Sequence, residues 1–343
     1  TGGQETYVTF KKLVDATRLT VDVPAEHEPA FTIADGVHFM PLNDLPTLKN
    51  PPQGYVVIGS GKTGMDACLW LLQNGVEADA IRWIMPRDAW MLPREFAQNS
   101  DEFFADTFGN QANQFEALAA AENIDDMYHR LEAAGCMVRL DPDVRPTMFH
   151  AATISRPELQ ALRQIKNIIR MGRVSALELD KIILDDGEVP TSPHIVHVDC
   201  SASLSRTMPK MSPKPVFDGN IITPQPVRSF MPVFSGSMIA YVEAHYDDEE
   251  EKNRLCNVVP LPNRAEDFVP MTLAAMMNQF NWSQDKPLRQ WVRNNRLDGF
   301  TKLTNNVDPD DKEKMDIMLR IRDNAPKAVG NLMKLAETID APA

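Results

Sequence analysis

The period of the hydrophobic positions changes several times along this chain, and each change marks an element. Tyr55-Val56-Val57-Ile58 is an unbroken apolar run, as expected of a strand covered on both faces. Met65 to Asn74 then reads as a helix, and Asn74-Gly75 ends it where glycine is free to take positive φ. Ile81-Arg82-Trp83-Ile84-Met85 predicts a second strand, closing a strand–helix–strand unit of about 30 residues. Helical patterns return at Ala112–Ala121, Asp125–Ala134 and Arg156–Ile165, and Met137-Val138-Arg139-Leu140 reads as another strand. The run Ile182-Ile183-Leu184 enters Asp185-Asp186-Gly187-Glu188, the turn signal of a β-meander. Phe217 to Tyr246 mixes short extended runs with a helix near Met238–Ala244. Beyond Asp267 the pattern is helical, over Phe268–Asn281, Lys286–Arg296, Lys312–Arg322 and Ala328–Thr338.

Two segments echo each other. Leu13-Val14-Asp15-Ala16-Thr17 and His197-Val198-Asp199-Cys200-Ser201-Ala202 are both apolar strands that end in an acid and small residues. Tyr7-Val8-Thr9-Phe10 ahead of the first is also strand-like. Proline clusters punctuate the chain at Pro46, Pro51 and Pro52 and again at Pro209, Pro213 and Pro215. Between them, residues 51–205 read as one doubly wound α/β domain.

The chain has 343 residues, enough for two domains, and an ordinary apolar fraction of 43%. Its formal net charge of −13 argues against nucleic acid or an anionic membrane as the main partner. No apolar run reaches the roughly 20 residues of a bilayer-spanning helix, and no signal peptide is evident. Cys68, Cys136, Cys200 and Cys256 form no C-x-x-C pair, which suits a reducing cytoplasm. A zinc site is not expected, because His194 and His197 would fall on opposite faces of an extended stretch. The start, Thr1-Gly2-Gly3-Gln4, lacks a methionine and leads at once into strand-like sequence, so an upstream segment is expected to be missing.

The chemistry lies in the loop after the first strand, Gly59-Ser60-Gly61-Lys62-Thr63-Gly64, which reads G-x-G-x-x-G. In a dinucleotide site the first glycine makes a tight turn and the second lets backbone approach a pyrophosphate. The third lets helix pack on strand, and the helix N-terminus faces the phosphates. Gly61-Lys62-Thr63 also resembles the end of a P-loop, but that motif needs glycine where Val56 stands. After the second strand, Met85-Pro86-Arg87-Asp88 occupies the ribose-reading position. Arg87 offers a guanidinium fork to the 2′-phosphate of NADPH, with Arg82 or Lys62 in support, while Asp88 keeps NADH open. No acid, base or nucleophile stands out; His150 is either near the site or a structural histidine.

Taken together, these motifs resemble the two-dinucleotide-domain flavoproteins, the glutathione-reductase-like and flavin-containing monooxygenase families. Val57 to Asp66 is similar to their second, NADPH-type fingerprint, and Trp83, Arg87 and Trp90 to the segment that follows. The resemblance covers about residues 5–245, most closely 51–95. It implies a Rossmann-like NAD(P)-binding domain (51–205) inserted in the remainder of an FAD-type domain (1–50 and 206–262), with a helical C-terminal region (263–343). Asp15-Ala16-Thr17 and Asp199-Cys200-Ser201 would be the crossings. The implied cofactors are NADPH and FAD, and the implied activity is hydride transfer to the flavin, acting on a small-molecule substrate. Two features depart from the pattern. The chain has one G-x-G-x-x-G only, so the FAD fingerprint is absent. Phe31, Gly36 and His38 are spaced F-x-x-x-x-G-x-H rather than F-x-G-x-x-x-H, which leaves the oxygenating step open. The alternatives are a non-catalytic NADP(H)-binding module or subunit, and a flavin-free NAD(P)-dependent dehydrogenase.

Overall fold

A computed structural model describes residues 7–18, 23–26, 28–201, 214–305 and 307–339. The architecture is mixed α/β, and the chain divides into two compact units. The larger comprises Val21–Arg206, Pro262–Phe268 and Asp308–Ala343. Its strands, numbered along the chain, are β2 (Thr32–Ile33), β3 (Phe39–Pro41), β4 (Gly54–Ile58), β5 (Ile81–Ile84), β6 (Ala89–Pro93) and β7 (Met148–Ile154). They continue as β8 (Asn167–Ile169), β9 (Val174–Leu177), β10 (Lys181–Leu184), β11 (Gly187–Pro190) and β12 (Ile195–Asp199). Its helices are α1 (Lys62–Gln73), α2 (Phe104–Ala120), α3 (Ile124–Ala133), α4 (Arg156–Leu162) and α10 (Lys312–Ala336).

A five-stranded parallel sheet in the order β3-β12-β4-β5-β8 is the centre of this unit. Every residue of β4 is buried, because both faces are covered. Tyr55 and Val57 point to one side, into a core with Met65, Leu69 and Trp83. Val56 and Ile58 point to the other, against Leu177, Ile182 and Leu184. Burial of each large side chain stabilises the fold by roughly 1.5–3 kcal/mol, so one apolar strand ties both layers together. The second layer is the expected meander, β9-β10-β11, with β2 added beside β9. β10 turns into β11 through Asp185-Asp186, and Gly187 takes φ +139°.

The smaller unit comprises Thr1–Thr20, Thr207–Leu261 and Val269–Val307. It contains β1 (Leu13–Val14), β13 (Phe217–Asp218) and β14 (Ile221–Ile222), in the order β1-β14-β13. Its helices are α5 (Pro232–His245), α6 (Glu249–Leu255), α7 (Phe268–Gln284, counted here from Val269), α8 (Lys286–Asn294) and α9 (Thr301–Asn305). Phe234, Met238, Val242, Trp282 and Leu288 form its core. The residues expected as one helical region, 263–343, are shared between the two units.

Three local expectations need correction. Met137–Leu140 is not a strand; Val138 alone bridges Met91. Tyr7–Phe10 forms no strand, and Tyr7 is almost fully exposed. The two helices expected at 312–322 and 328–338 are one helix, α10, which runs through Pro326. An interior proline costs a helix about 3 kcal/mol or more, and here contacts to α2 hold both sides of it. Before Pro326, Arg320 grips Glu116 at 2.8 Å through Nε; after it, Asn331 donates to Leu118 O and Ala121 O at 2.8 and 2.7 Å. No helix among the described residues is long and apolar enough to cross a membrane.

Candidate functional site

The glycine loop is built into the sheet from two sides. Gly59 has φ +125°, and a Cβ there would lie 2.5 Å from the Cys200 carbonyl oxygen, at the end of the neighbouring strand. Its N–H donates to Ile84 O at 3.1 Å, and its own carbonyl accepts from buried Trp83 Nε1 at 2.7 Å. A side chain on Gly64 would run into that same carbonyl oxygen, so helix and loop touch there with no room to spare. Gly61 differs. A Cβ on it would meet nothing within 4 Å. Two glycines therefore serve the protein's own packing, and the middle one faces open space.

Gly61 is also the N-cap of α1, extended at φ −76° and ψ −177°, with no side-chain cap. The first helical bond is Met65 N to Gly61 O, at 3.1 Å, so the N–H groups of the first turn have no intrahelical acceptor. That end carries the positive pole of the helix dipole. Gly59, Ser60 and Gly61 line a cavity of about 140 Å³ together with Ile58 and Cys200, at the carboxyl ends of β4 and β12. Arg87 after β5, His150 in β7 and Arg173 before β9 complete its polar wall, and Phe31 and Val174 its apolar one.

The expected site residues separate. Lys62 forms an ion pair with Asp66 one turn on, and Lys62, Thr63 and Gly64 lie outside the cavity lining. Arg82 does not join Arg87. It sits mid-strand and donates to Pro190 O and, at 3.3 Å, to Thr191 Oγ1, so it braces β11. Arg87 does reach the cavity. Its Nη2 donates to Asn263 Oδ1 at 2.9 Å, and His150 Nε2 meets that same oxygen at 3.0 Å. Burial lowers the Arg87 pKa, the charge of Arg173 adds to this, and Asp267 opposes it. Desolvation likewise lowers the His150 pKa, against the hydrogen bond to Asn263 Oδ1 and with the repulsion of Arg87.

Asp88, the residue that kept NADH open, is committed elsewhere. It is buried, and Arg170 grips it through Nε at 2.8 Å and Nη2 at 3.0 Å. A bidentate fork of this kind uses both carboxylate oxygens. Cys200 lines the cavity, but burial, with Asp199 and Asp66 nearby, pushes its thiol pKa well up and holds it protonated. His197 is buried between Thr191 Oγ1, at 2.8 Å, and His38 O, at 3.1 Å, whereas His194 is exposed.

Arg173 and Asn263 were not anticipated. Arg173 follows Gly172 in a turn whose direction no local pattern encodes. Asn263 is far away in sequence and arrives through pairing beside β7, where Met148 bridges Arg264 and Ala265 N donates to Thr147 O at 3.0 Å.

No protein-family model matches this chain. Uncharacterized proteins of Mycobacterium tuberculosis and Mycobacterium bovis are 40% identical to it over 302 residues, or 88% of the chain. The chain spans 56% of the length of these curated relatives.

Proposed function

We propose that the larger unit is a Rossmann-like nucleotide-binding domain that binds NADPH, and that the protein is the NADPH side of a flavin-dependent oxidoreductase. The observation that carries this reading is the division of labour in the glycine loop. Gly59 and Gly64 are required by the fold, but Gly61 is required by nothing within 4 Å of it. A glycine at the uncapped start of a helix, against a cavity, suits a pyrophosphate that approaches the backbone. The cavity lies at the carboxyl ends of the strands, where β12 and β5 leave β4 on opposite sides, the usual ligand crevice of an open α/β sheet. Arg87 lines it while Asp88 is bound to Arg170, which favours a 2′-phosphate over a bare ribose hydroxyl.

In this reading the chain's residues bind and orient. The backbone of Ser60 and Gly61, at the N-terminus of α1, would hold the pyrophosphate, Arg87 would hold the 2′-phosphate, and Phe31 and Val174 would shield one wall from water. The nicotinamide supplies the hydride, and a flavin accepting it follows from the family resemblance. The sequence contains a single G-x-G-x-x-G, which NADPH would use, and no residue of this chain is assigned to flavin phosphates. The alternative, a non-catalytic NADP(H)-binding subunit, shares the same nucleotide site. Anaerobic mixing of the protein with NADPH and added FAD distinguishes them. Loss of oxidised-flavin absorbance above the protein-free rate supports the oxidoreductase; tight NADPH binding without such loss supports the subunit. Failure to bind NADPH defeats both.

A further inference from the structure

We propose that Arg173 is the second arm of a two-arginine clamp, closing with Arg87 on the phosphomonoester dianion at the adenosine 2′ position. The proposal rests on the NADPH reading of the same cavity.

Arg173 is placed by its backbone. Gly172 takes φ +77° and packs so closely on Asp185 that an added Cβ would lie 2.5 Å from the Asp185 Cβ. Asp185 Oδ2 accepts from Arg173 N at 2.7 Å, and Asp185 N donates to Arg173 O at 3.0 Å. The nearby carboxylate is therefore spent on the main chain. Arg173 is exposed where it lines the cavity, and its guanidinium makes no hydrogen bond or ion pair among the described residues. Arg170, three residues earlier, contrasts with it by holding two carboxylates, Asp88 and Asp141.

Arg87 is also without a carboxylate partner among the described residues; its hydrogen bond goes to the neutral amide of Asn263. Arg87 and Arg173 line the same cavity, and burial first, then the charge of Arg173, lowers the Arg87 pKa. Both cations thus face one cavity with no salt bridge to either among the described residues, an arrangement that suits an anion. A phosphomonoester carries a charge of about −1.5 to −2 near neutral pH and has three acceptor oxygens, enough for two forks. A diester pyrophosphate has one charge per phosphorus and would be served by the backbone of Ser60 and Gly61 at the start of α1.

Calorimetric titration of NADP⁺, NAD⁺, adenosine 2′-phosphate and inorganic phosphate into wild type, Arg173→Ala and Arg173→Lys tests the clamp. Arg173→Ala is expected to weaken NADP⁺ and adenosine 2′-phosphate roughly 10- to 100-fold, the loss of one charge-assisted contact, and to leave NAD⁺ unchanged. NAD⁺ binding also reports that the variant is folded. Arg173→Lys should recover part of the loss, because it keeps the charge without the fork. Inorganic phosphate that competes with adenosine 2′-phosphate in wild type but not in Arg173→Ala supports the clamp as a phosphate site. Unchanged NADP⁺ affinity in Arg173→Ala, or equal loss for NAD⁺, overturns the clamp while the NADPH reading stands. Wild type that binds NADP⁺ no better than NAD⁺ defeats the reading and the clamp with it.

Discussion

The indole N–H of Trp83 donates to the carbonyl oxygen of Gly59 at 2.7 Å, so the second strand of the sheet fixes the first glycine of the loop. Trp83 is fully buried, and that oxygen also lies against the Cα of Gly64. One carbonyl thus joins strand, loop and helix.

Trp83→Phe leaves this buried carbonyl without its donor, at a cost of about 1–3 kcal/mol, plus lost packing. Urea denaturation should show that loss, and NADPH affinity should fall with it as the loop loosens. An unchanged denaturation midpoint would show that the bond contributes nothing.

Alanine at each loop glycine should give two different results. Gly59→Ala and Gly64→Ala force a Cβ against a carbonyl oxygen and should destabilise by about 1–3 kcal/mol or more. Gly61→Ala meets open space and should change stability by less than about 1 kcal/mol. It should nonetheless weaken NADPH by roughly tenfold or more, because the methyl group takes up space needed by phosphate. Thermal melts beside fluorescence titration separate the two effects. A Gly61→Ala protein with wild-type affinity would contradict the assignment of that space to a ligand.

Asn263 accepts from Arg87 and contacts His150, so it acts as a positioning residue for Arg87. Asn263→Leu should lower NADPH affinity roughly tenfold, the lower end for a hydrogen bond to a charged group, and spare NADH. Equal loss for both nucleotides would point to a general distortion instead.

His197 should give stability a pH dependence. Burial is the main cause holding its pKa below the ordinary value; the His38 carbonyl works against this and the Arg82 charge adds to it. As pH falls, the unfolded chain therefore takes up the proton first. The contribution of His197 is complete above its ordinary pKa of about 6.5 and is lost as pH falls through that value toward the folded one. Melting temperatures should drop across this window, and His197→Gln should flatten the slope. An identical slope in the variant would remove His197 as the cause.

Elements whose signal is local were legible in the sequence. β4, α1 and β5 follow from an apolar run, a helical period and a second run. The echo is a shared turn at Asp15 and Asp199: Asp15 accepts from Thr17 N at 3.1 Å, and Asp199 from Ser201 N at 2.9 Å. Elements decided by distant partners were not legible. α10 passes Pro326 because Arg320 and Asn331 are held by α2, more than 200 residues away. Met137–Leu140 has the composition of a strand, but only Val138 finds a bridging partner. The same rule applies at the site. Gly59, Gly61 and Arg87 could be read from spacing, whereas Arg82 has the right residue type in mid-strand, where Pro190 O captures it. Arg173 and Asn263 depend on a turn and a pairing that no short window contains.

The central claim, that this cavity reads the 2′-phosphate of NADPH, is tested most directly by titrating NADPH and NADH into wild type and Arg87→Ala. Wild type should bind NADPH much more tightly than NADH. Arg87→Ala should erase most of that preference, by roughly 10- to 100-fold in NADPH affinity, with NADH affinity retained. Equal affinity of wild type for the two nucleotides, or equal loss of both in Arg87→Ala, would contradict it.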